Sequence, residues 1–387
     1  RDVLVVNAHK FKKGRALQRA RSLLGNGLLT NEGESHLRQR RMIQPAFHRT
    51  RIAEYASSMV DYSKRMSNNW AQGDVRDIDR EMMHLTLQIV AKTLFSAVVD
   101  NEADKIGKSM SDLVALFNYL LLPFSEWLQK LPLPQSRRFA NARDTLNTVI
   151  YGIIDERRAS GEDRGDLLSM LLQAQDESDG SVMNDEQVRD EVMTLFLAGH
   201  ETTANALTWT WYLLSQNPQK AELLHAELDE VLHGRTPELD DIPRLKITEA
   251  VVAESMRLYP PAWAIGRLSI EDHELGDYSL PTGSLVLFSP FITHRDPRFW
   301  VDATTFQPER WLEQGVKEAT QKYTYFPFGG GVRRCIGESF AWTEGILLLA
   351  TLAQKWELRS VPEQKIGVSA MITLRPKYGM RMVCSRS

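Results

Sequence analysis

Cysteine is scarce: only Cys335 and Cys384 occur in 387 residues. That excludes a disulfide framework and fits a reducing, cytoplasmic setting. Long apolar runs are missing too. The best stretch, Leu113 to Phe124, is shorter than the roughly 18 residues a bilayer requires, and Asn118 and Pro123 interrupt it. Charge of one sign is also lacking. A net charge of −3 gives no reason to expect a nucleic-acid partner. Repeats, low-complexity tracts and dividing linkers are absent. What the chain does have is 43% hydrophobic residues, enough for a large buried core. Length alone allows two or three domains, but without a linker we expect one mainly α (α+β) domain over 1–387, with small peripheral β-sheets. The chain opens at Arg1 without an initiator Met, and its first residues read as the continuation of something already under way.

Helical signals dominate. Asn184 and Gln187 have the spacing of a capping box. A helical pattern runs from about Asp185 to Gln216, where Asn217-Pro218 stops it. Its middle (Met193, Leu195, Phe196, Leu197, Ala198) is too apolar for a surface helix. A second helix is expected from Thr248 to Tyr259, ending at Pro260-Pro261, and a third from beside Cys335 to Trp356. Strands are expected around the turn Pro281-Thr282-Gly283 and as a pair flanking Pro376 to Gly379. Gly161 to Gly165 and Asp176 to Ser181 read as charged loops.

The segment Phe328-Gly329-Gly330-Gly331-Val332-Arg333-Arg334-Cys335-Ile336-Gly337 carries the most information. Glycines allow backbone to turn sharply or to pass close to a flat group. A cysteine at a helix start, beside two arginines, is favoured as a thiolate. Such a thiolate is a nucleophile or a metal ligand. The plainer alternative is a buried structural cysteine beside a glycine turn. No suitable His and Asn context supports a cysteine protease. The spacing Phe-x-x-Gly-x-Arg-x-Cys-x-Gly resembles the haem-binding signature of the cytochrome P450 family, and the match is complete. That resemblance implies haem b (iron protoporphyrin IX), with Cys335 as axial ligand and Phe328 and Gly337 at the cofactor.

Other motifs follow in the family's order. Glu254 and Arg257 stand at i and i+3 on one helix face, by itself an ordinary ion pair of little worth. Pro308-Glu309-Arg310 comes later, as in the family's ExxR helix and PER segment. The resemblance implies a buried Glu254–Arg257–Arg310 network behind the cysteine loop, whose disruption would cost roughly 3–5 kcal/mol. In the middle of the long helix, Ala198-Gly199-His200-Glu201-Thr202-Thr203 combines poor interior helix formers, which often accompany a distorted ladder. The segment resembles the family's oxygen-activation element, implying Thr202 as proton relay and Glu201 as its acidic neighbour. A back-bonding cluster is the structural alternative, and His200 reads as solvent-facing or hydrogen-bonded. This acid–alcohol pair argues for dioxygen plus two electrons.

Arg333 and Arg267, with His36 and Arg40 on an early helix, resemble the family's propionate anchors, although many members have Trp where this chain has His36. Arg38, Arg41, Arg49, Arg51 and Arg334 would form a basic face for a ferredoxin or flavodoxin-type donor supplied by its reductase. Apolar segments at Ala16 to Leu29, Leu116 to Phe124, Pro261 to Ile265 and Ala370 to Ile372 imply a hydrophobic small-molecule substrate. Ala198, Trp263, Ala264, Ile265 and Met371 are candidate pocket residues. The expected activity is hydroxylation or epoxidation of a lipophilic molecule by a bacterial-type enzyme without a membrane segment. A haem-thiolate peroxygenase using hydrogen peroxide and a non-catalytic haem sensor are the alternatives. Family members usually carry a first helix and the start of the main sheet before the point where Arg1 falls.

Overall fold

Asn184 and Gln187 fix the start of the longest helix by exchanging bonds. The Asn184 side chain accepts from Gln187 N at 2.8 Å, and the Gln187 side chain accepts from Asn184 N at 3.1 Å. The helix runs over Asp185–Gln216, the range its capping box and Asn217-Pro218 stop predict. At 1.5 Å per residue it is about 48 Å long. The computed structural model describes residues 1–99, 103–117, 131–174 and 182–387, with 124, 127 and 180 as isolated positions. The loop expected at Asp176 to Ser181 and the middle of Leu116 to Phe124 lie outside the described residues.

In chain order the main helices are α1 (Gly33–Ile43), α2 (Arg49–Asn68), α3 (Ile78–Phe95), α4 (Ala103–Ala115), α5 (Pro134–Ser160), α6 (Leu167–Gln173), α7 (Asp185–Gln216), α8 (Pro218–Leu232), α9 (Lys246–Leu258) and α10 (Glu338–Ala353). Helix α7 is buried on nearly every side and lies along α3. Phe95 stacks on Phe196 at 5.0 Å, and Thr86 Oγ1 of α3 donates to His200 O at 2.9 Å. Helix α10 packs on α2, with Phe340 edge-on to Tyr55.

Among the described residues, four small antiparallel sheets sit around this body: β1 (Phe11–Lys13), β3 (Ile265–Ser269) and β6 (Leu285–Phe288); β2 (Val75–Asp77), β10 (Arg381–Arg386) and β7 (Trp356–Ser360); β4 (His273–Leu275) with β5 (Tyr278–Leu280); and β8 (Val368–Ala370) with β9 (Leu374–Pro376). The result is a helix-rich fold with small sheets. Two expectations of local pairing need correction. Strands flank Pro281-Thr282-Gly283, but β5 pairs with β4 and β6 with β3. Likewise β9 pairs with β8, whereas β10 pairs with β2 and β7. Helix α9 starts two residues earlier than expected and leaves Tyr259 as its cap.

Candidate active site

The cysteine loop is a wound turn. Cys335 N donates to Phe328 O, Gly329 N to Phe326 O and Arg334 N to Gly331 O, each at 3.0 Å. Gly331 has φ +67°, and a Cβ there would sit 1.8 Å from Leu4 O, so only glycine fits. Helix α10 begins three residues after Cys335, with Gly337 as its N-cap. The cysteine therefore stands just outside the helix rather than in its first turn. Cys335 is exposed, yet the protein packed close around its sulfur pushes its pKa up to about 11. The Gly337 N–H bonded to the sulfur, with Arg40 and Arg334 nearby, acts in the opposite direction. A cation bound at the sulfur would overcome the burial and leave a thiolate.

A basic cluster lies beside this loop. Lys13 in β1 is paired in register with Arg267 in β3. Both are buried, as is His36 of α1. Burial, then Arg333 and Arg267, lower the Lys13 pKa to about 7. Burial and the surrounding cations Lys13, Arg333, Arg40 and Arg267 hold His36 neutral, at about 3. Burial and Arg333 bring Arg267 down to about 10. Arg333 pairs with Glu32, whose other oxygen accepts from Lys13 N at 2.6 Å. Arg40 Nη1 donates to Arg334 O at 2.8 Å. Cations that repel one another in low dielectric make a good receptor for carboxylates. Sequence reasoning missed Lys13; the available signal was that it shares the inward face of a strand with Phe11.

Behind the loop, Glu254 and Arg257 are wholly buried. Arg257 donates to both Glu254 oxygens at 2.8 Å and also to His294 O, Ala303 O and Thr305 O. Glu254 accepts in addition from Gln307 N, Arg310 Nε at 3.1 Å and Trp311 Nε1 at 2.9 Å. The link to the cysteine loop is His294, whose Nε2 accepts from Phe326 N at 2.9 Å. Burial lowers the His294 pKa to about 3, keeping this nitrogen an acceptor. Neither His294 nor Trp311 was legible as part of the network.

In the middle of α7 the helical ladder is unbroken, so the expected distortion is absent. Side chains instead bond back to i−4 carbonyls: Thr202 Oγ1 to Ala198 O at 2.7 Å and Asn205 Nδ2 to Glu201 O at 2.9 Å. Ala198, Gly199 and Thr202 are half-buried on a helix otherwise sealed there, so this face borders open space. Glu201 points elsewhere. Its Oε1 accepts from Thr373 Oγ1 at 2.5 Å, and burial raises its pKa. His200 is buried and bonded to Phe196 O at 2.8 Å.

Contacts connect this helix to the cysteine loop. Thr373 belongs to the turn that carries Met371, whose carbonyl accepts from Trp263 Nε1 at 2.9 Å. Ile265, two residues on from Trp263, lies 3.6 Å from where a Cβ on Gly329 would be. Trp263 thus staples two turns with its polar edge. Ala264 is exposed, and Ile265 and Met371 are half-buried. The segment Ala16 to Leu29 docks on the first half of α7 through Asn26 N to Asp190 and Leu28 N to Glu191.

The cytochrome P450 family model matches residues 1–380. The chain belongs to that family. It is 44% identical over 374 residues to cyclooctatin synthase of Streptomyces melanosporofaciens, spanning 96% of this chain and 81% of that protein. Cyclooctat-9-en-7-ol 5-monooxygenase of the same organism is 40% identical over 93% of this chain and 78% of its own length. Pentalenene oxygenase of Streptomyces avermitilis is 37% identical over 98% and 84%. This P450 is a haem-dependent monooxygenase that places one oxygen atom from dioxygen into a lipophilic small molecule, with electrons from a redox partner. Its residues fit haem: an exposed cysteine backed by an N–H donor, a glycine turn without room for side chains, and convergent cations suited to two carboxylates. Among the described residues no helix is long and apolar enough to cross a membrane.

Proposed function

We propose that this P450 oxygenates a cyclic hydrocarbon or its alcohol, the chemistry written in the names of its relatives. The observation that carries the reading is the apolar character of the accessible groups, Ala198, Ala264, Ile265 and Met371, while Glu201 and the Trp263 N–H are bonded into the wall. A site so lined favours apolar bulk and offers few polar contacts.

Haem b, when bound, supplies the iron at which dioxygen is activated, and a thiolate ligand favours O–O cleavage. Cys335 is that ligand. The Gly337 N–H tempers its charge, and Phe328, 5.9 Å from Trp342 between ring centres, holds the turn by accepting from Cys335 N. Arg333, Arg267, His36, Arg40 and Lys13 hold the two carboxylates; Glu32 shares Arg333 with them, and Leu28 O and Asn31 O share the Lys13 ammonium. Glu254, Arg257 and Arg310 keep the loop in place through His294. Thr202 Oγ1, its own proton on Ala198 O, can accept a hydrogen bond from water in the open space and would donate onward on turning away from that carbonyl, with Glu201, the preceding residue, as the proton source.

Arg41 and Arg49 are exposed, and Arg38, Arg51 and Arg334 half-buried; Arg51 pairs with Glu54 and Arg334 with Glu338. This basic face suits an acidic ferredoxin or flavodoxin-type donor. Two unpaired cysteines suit a reducing, cytoplasmic setting.

The test is a titration of the holoprotein with cyclic hydrocarbons, their alcohols, fatty acids and steroids, followed at the Soret band, with product analysis for each binder. A high-spin shift and oxygenated product from the cyclic hydrocarbon class alone is expected. A shift confined to fatty acids or steroids would refute the substrate class.

A further inference from the structure

The loop at residues 25–31 is tied to α7, α1 and β1 at once. Helix α7 accepts from its backbone: Asn26 N donates to Asp190 Oδ2 at 2.7 Å and Leu28 N to Glu191 Oε2 at 2.9 Å. A Cβ on Gly27 would lie 2.2 Å from Thr194 Oγ1, so the loop presses on α7 about one turn before the half-buried Ala198. Helix α1 reaches the loop through Gln39, which donates to Asn26 O at 2.9 Å and accepts from Asn31 Nδ2 at 2.8 Å. The remaining tie is Lys13 of β1. Its ammonium donates to Leu28 O at 2.7 Å and to Asn31 O at 2.6 Å. Leu28 is thus held by its N–H on a carboxylate and by its carbonyl on a cation.

Lys13 also faces the carboxylate receptor. An ammonium has three donors; two go to the loop, and the third has no protein acceptor among the described residues. Arg267 stands directly opposite in the β1–β3 register, so these two buried side chains share one face of the sheet. Among the described residues, Arg267 bonds Gly266 O at 3.0 Å and no carboxylate. Glu32 bonds the Lys13 backbone N and Arg333 rather than the ammonium. Opposed buried cations without a bonded anion repel one another. That strain relaxes when Lys13 loses its proton or swings away, and either change weakens its charge-assisted bonds to Leu28 O and Asn31 O.

We propose that Lys13 is a positioning residue that couples the seating of the two haem carboxylates to the position of this loop, and so to the wall of the substrate site beside Ala198. The coupling rests on the reading of Lys13, Arg267 and Arg333 as the carboxylate receptor. With the receptor filled, Lys13 stays charged, turns one donor to the ligand and holds the loop on α7 with the other two. With it unfilled, Asp190, Glu191 and Gln39 hold the loop without help from β1.

The experiment compares holoprotein loaded with haem and with haem dimethyl ester, whose carboxylates carry no charge, by amide hydrogen exchange. The bonded amides of Asn26, Leu28, Thr30 and Asn31 report the loop. In wild type they should exchange at least about tenfold faster with the ester, while those in the middle of α7 stay protected. Lys13→Met should exchange fast with either cofactor, differing less than about twofold between them. A merely structural role for Lys13 would loosen the loop yet leave its response to the ester intact. That result, or a wild-type loop that ignores esterification, overturns the proposal. Cofactor affinity separates the two readings. An ester bound as tightly as haem would remove the carboxylate receptor and the coupling with it. An ester bound at least about tenfold more weakly, with the loop unmoved, would remove the coupling alone.

Discussion

Replacing Arg257 with Met removes the centre of the buried clamp while keeping much of its volume. The side chain has no exposure and donates to five acceptors, two of them on Glu254 and three on the carbonyls of His294, Ala303 and Thr305. Losing it leaves Glu254 with Arg310, Gln307 N and Trp311 as donors but without its bidentate partner. Breaking a buried pair costs about 3–5 kcal/mol, and carbonyls stripped of a charged donor add to that cost. The expected loss lies at the upper end of that range. Against a total stability of about 5–15 kcal/mol, such a change is severe. Urea unfolding of the holoprotein, followed by far-UV circular dichroism and the Soret band together, measures it. Because His294 joins the clamp to Phe326, haem release should move to lower urea with the fold. Glu254→Gln combined with Arg257→Met should cost less than the sum of the two by at least about 1 kcal/mol. A loss below about 1 kcal/mol for Arg257→Met would refute the clamp as a stabilising unit.

Two further outcomes follow from charge. Glu344 in α10 is fully buried, and burial outweighs the neighbouring Thr203 hydroxyl, raising its pKa from 4.5 to about 8. The folded state thus holds a proton that the unfolded chain releases, so stability falls as pH rises from about 4.5 to about 8, by roughly 1.4 kcal/mol per unit. Glu344→Gln should flatten that slope in urea titrations between about pH 5 and 8; parallel slopes would contradict the assignment. On the basic face, reduction by an acidic ferredoxin should slow as salt rises past about 0.1 M, where the screening length is near 10 Å. Arg41→Glu with Arg49→Glu should slow it at low salt. A rate indifferent to both would exclude docking there.

How much of this was legible depends on how local the signal is. The ends of α7 follow from Asn184, Gln187 and Pro218, all neighbours in sequence, and its burial from its apolar middle. Strand partners were not legible: β10 pairs with β2, some 300 residues away, and nothing near Pro376 announces it. The resemblance of the local motifs to those of the P450 family brought out Glu254, Arg257 and Cys335. It could not reveal Trp311 or His294, whose parts depend on tertiary approach. Glu201 was legible as an acid beside a hydroxyl, but its direction, toward Thr373 and Arg375, is set by a strand more than 170 residues later.

The central claim is that Cys335 binds haem iron as a thiolate, and the optical spectrum of the purified holoprotein tests it most directly. Wild type, reduced and exposed to carbon monoxide, should give the red-shifted Soret band of a thiolate-ligated haem. Cys335→His should bind haem without that band. A thiolate band that persists in Cys335→His, or wild type that takes up no haem on reconstitution, would contradict the account.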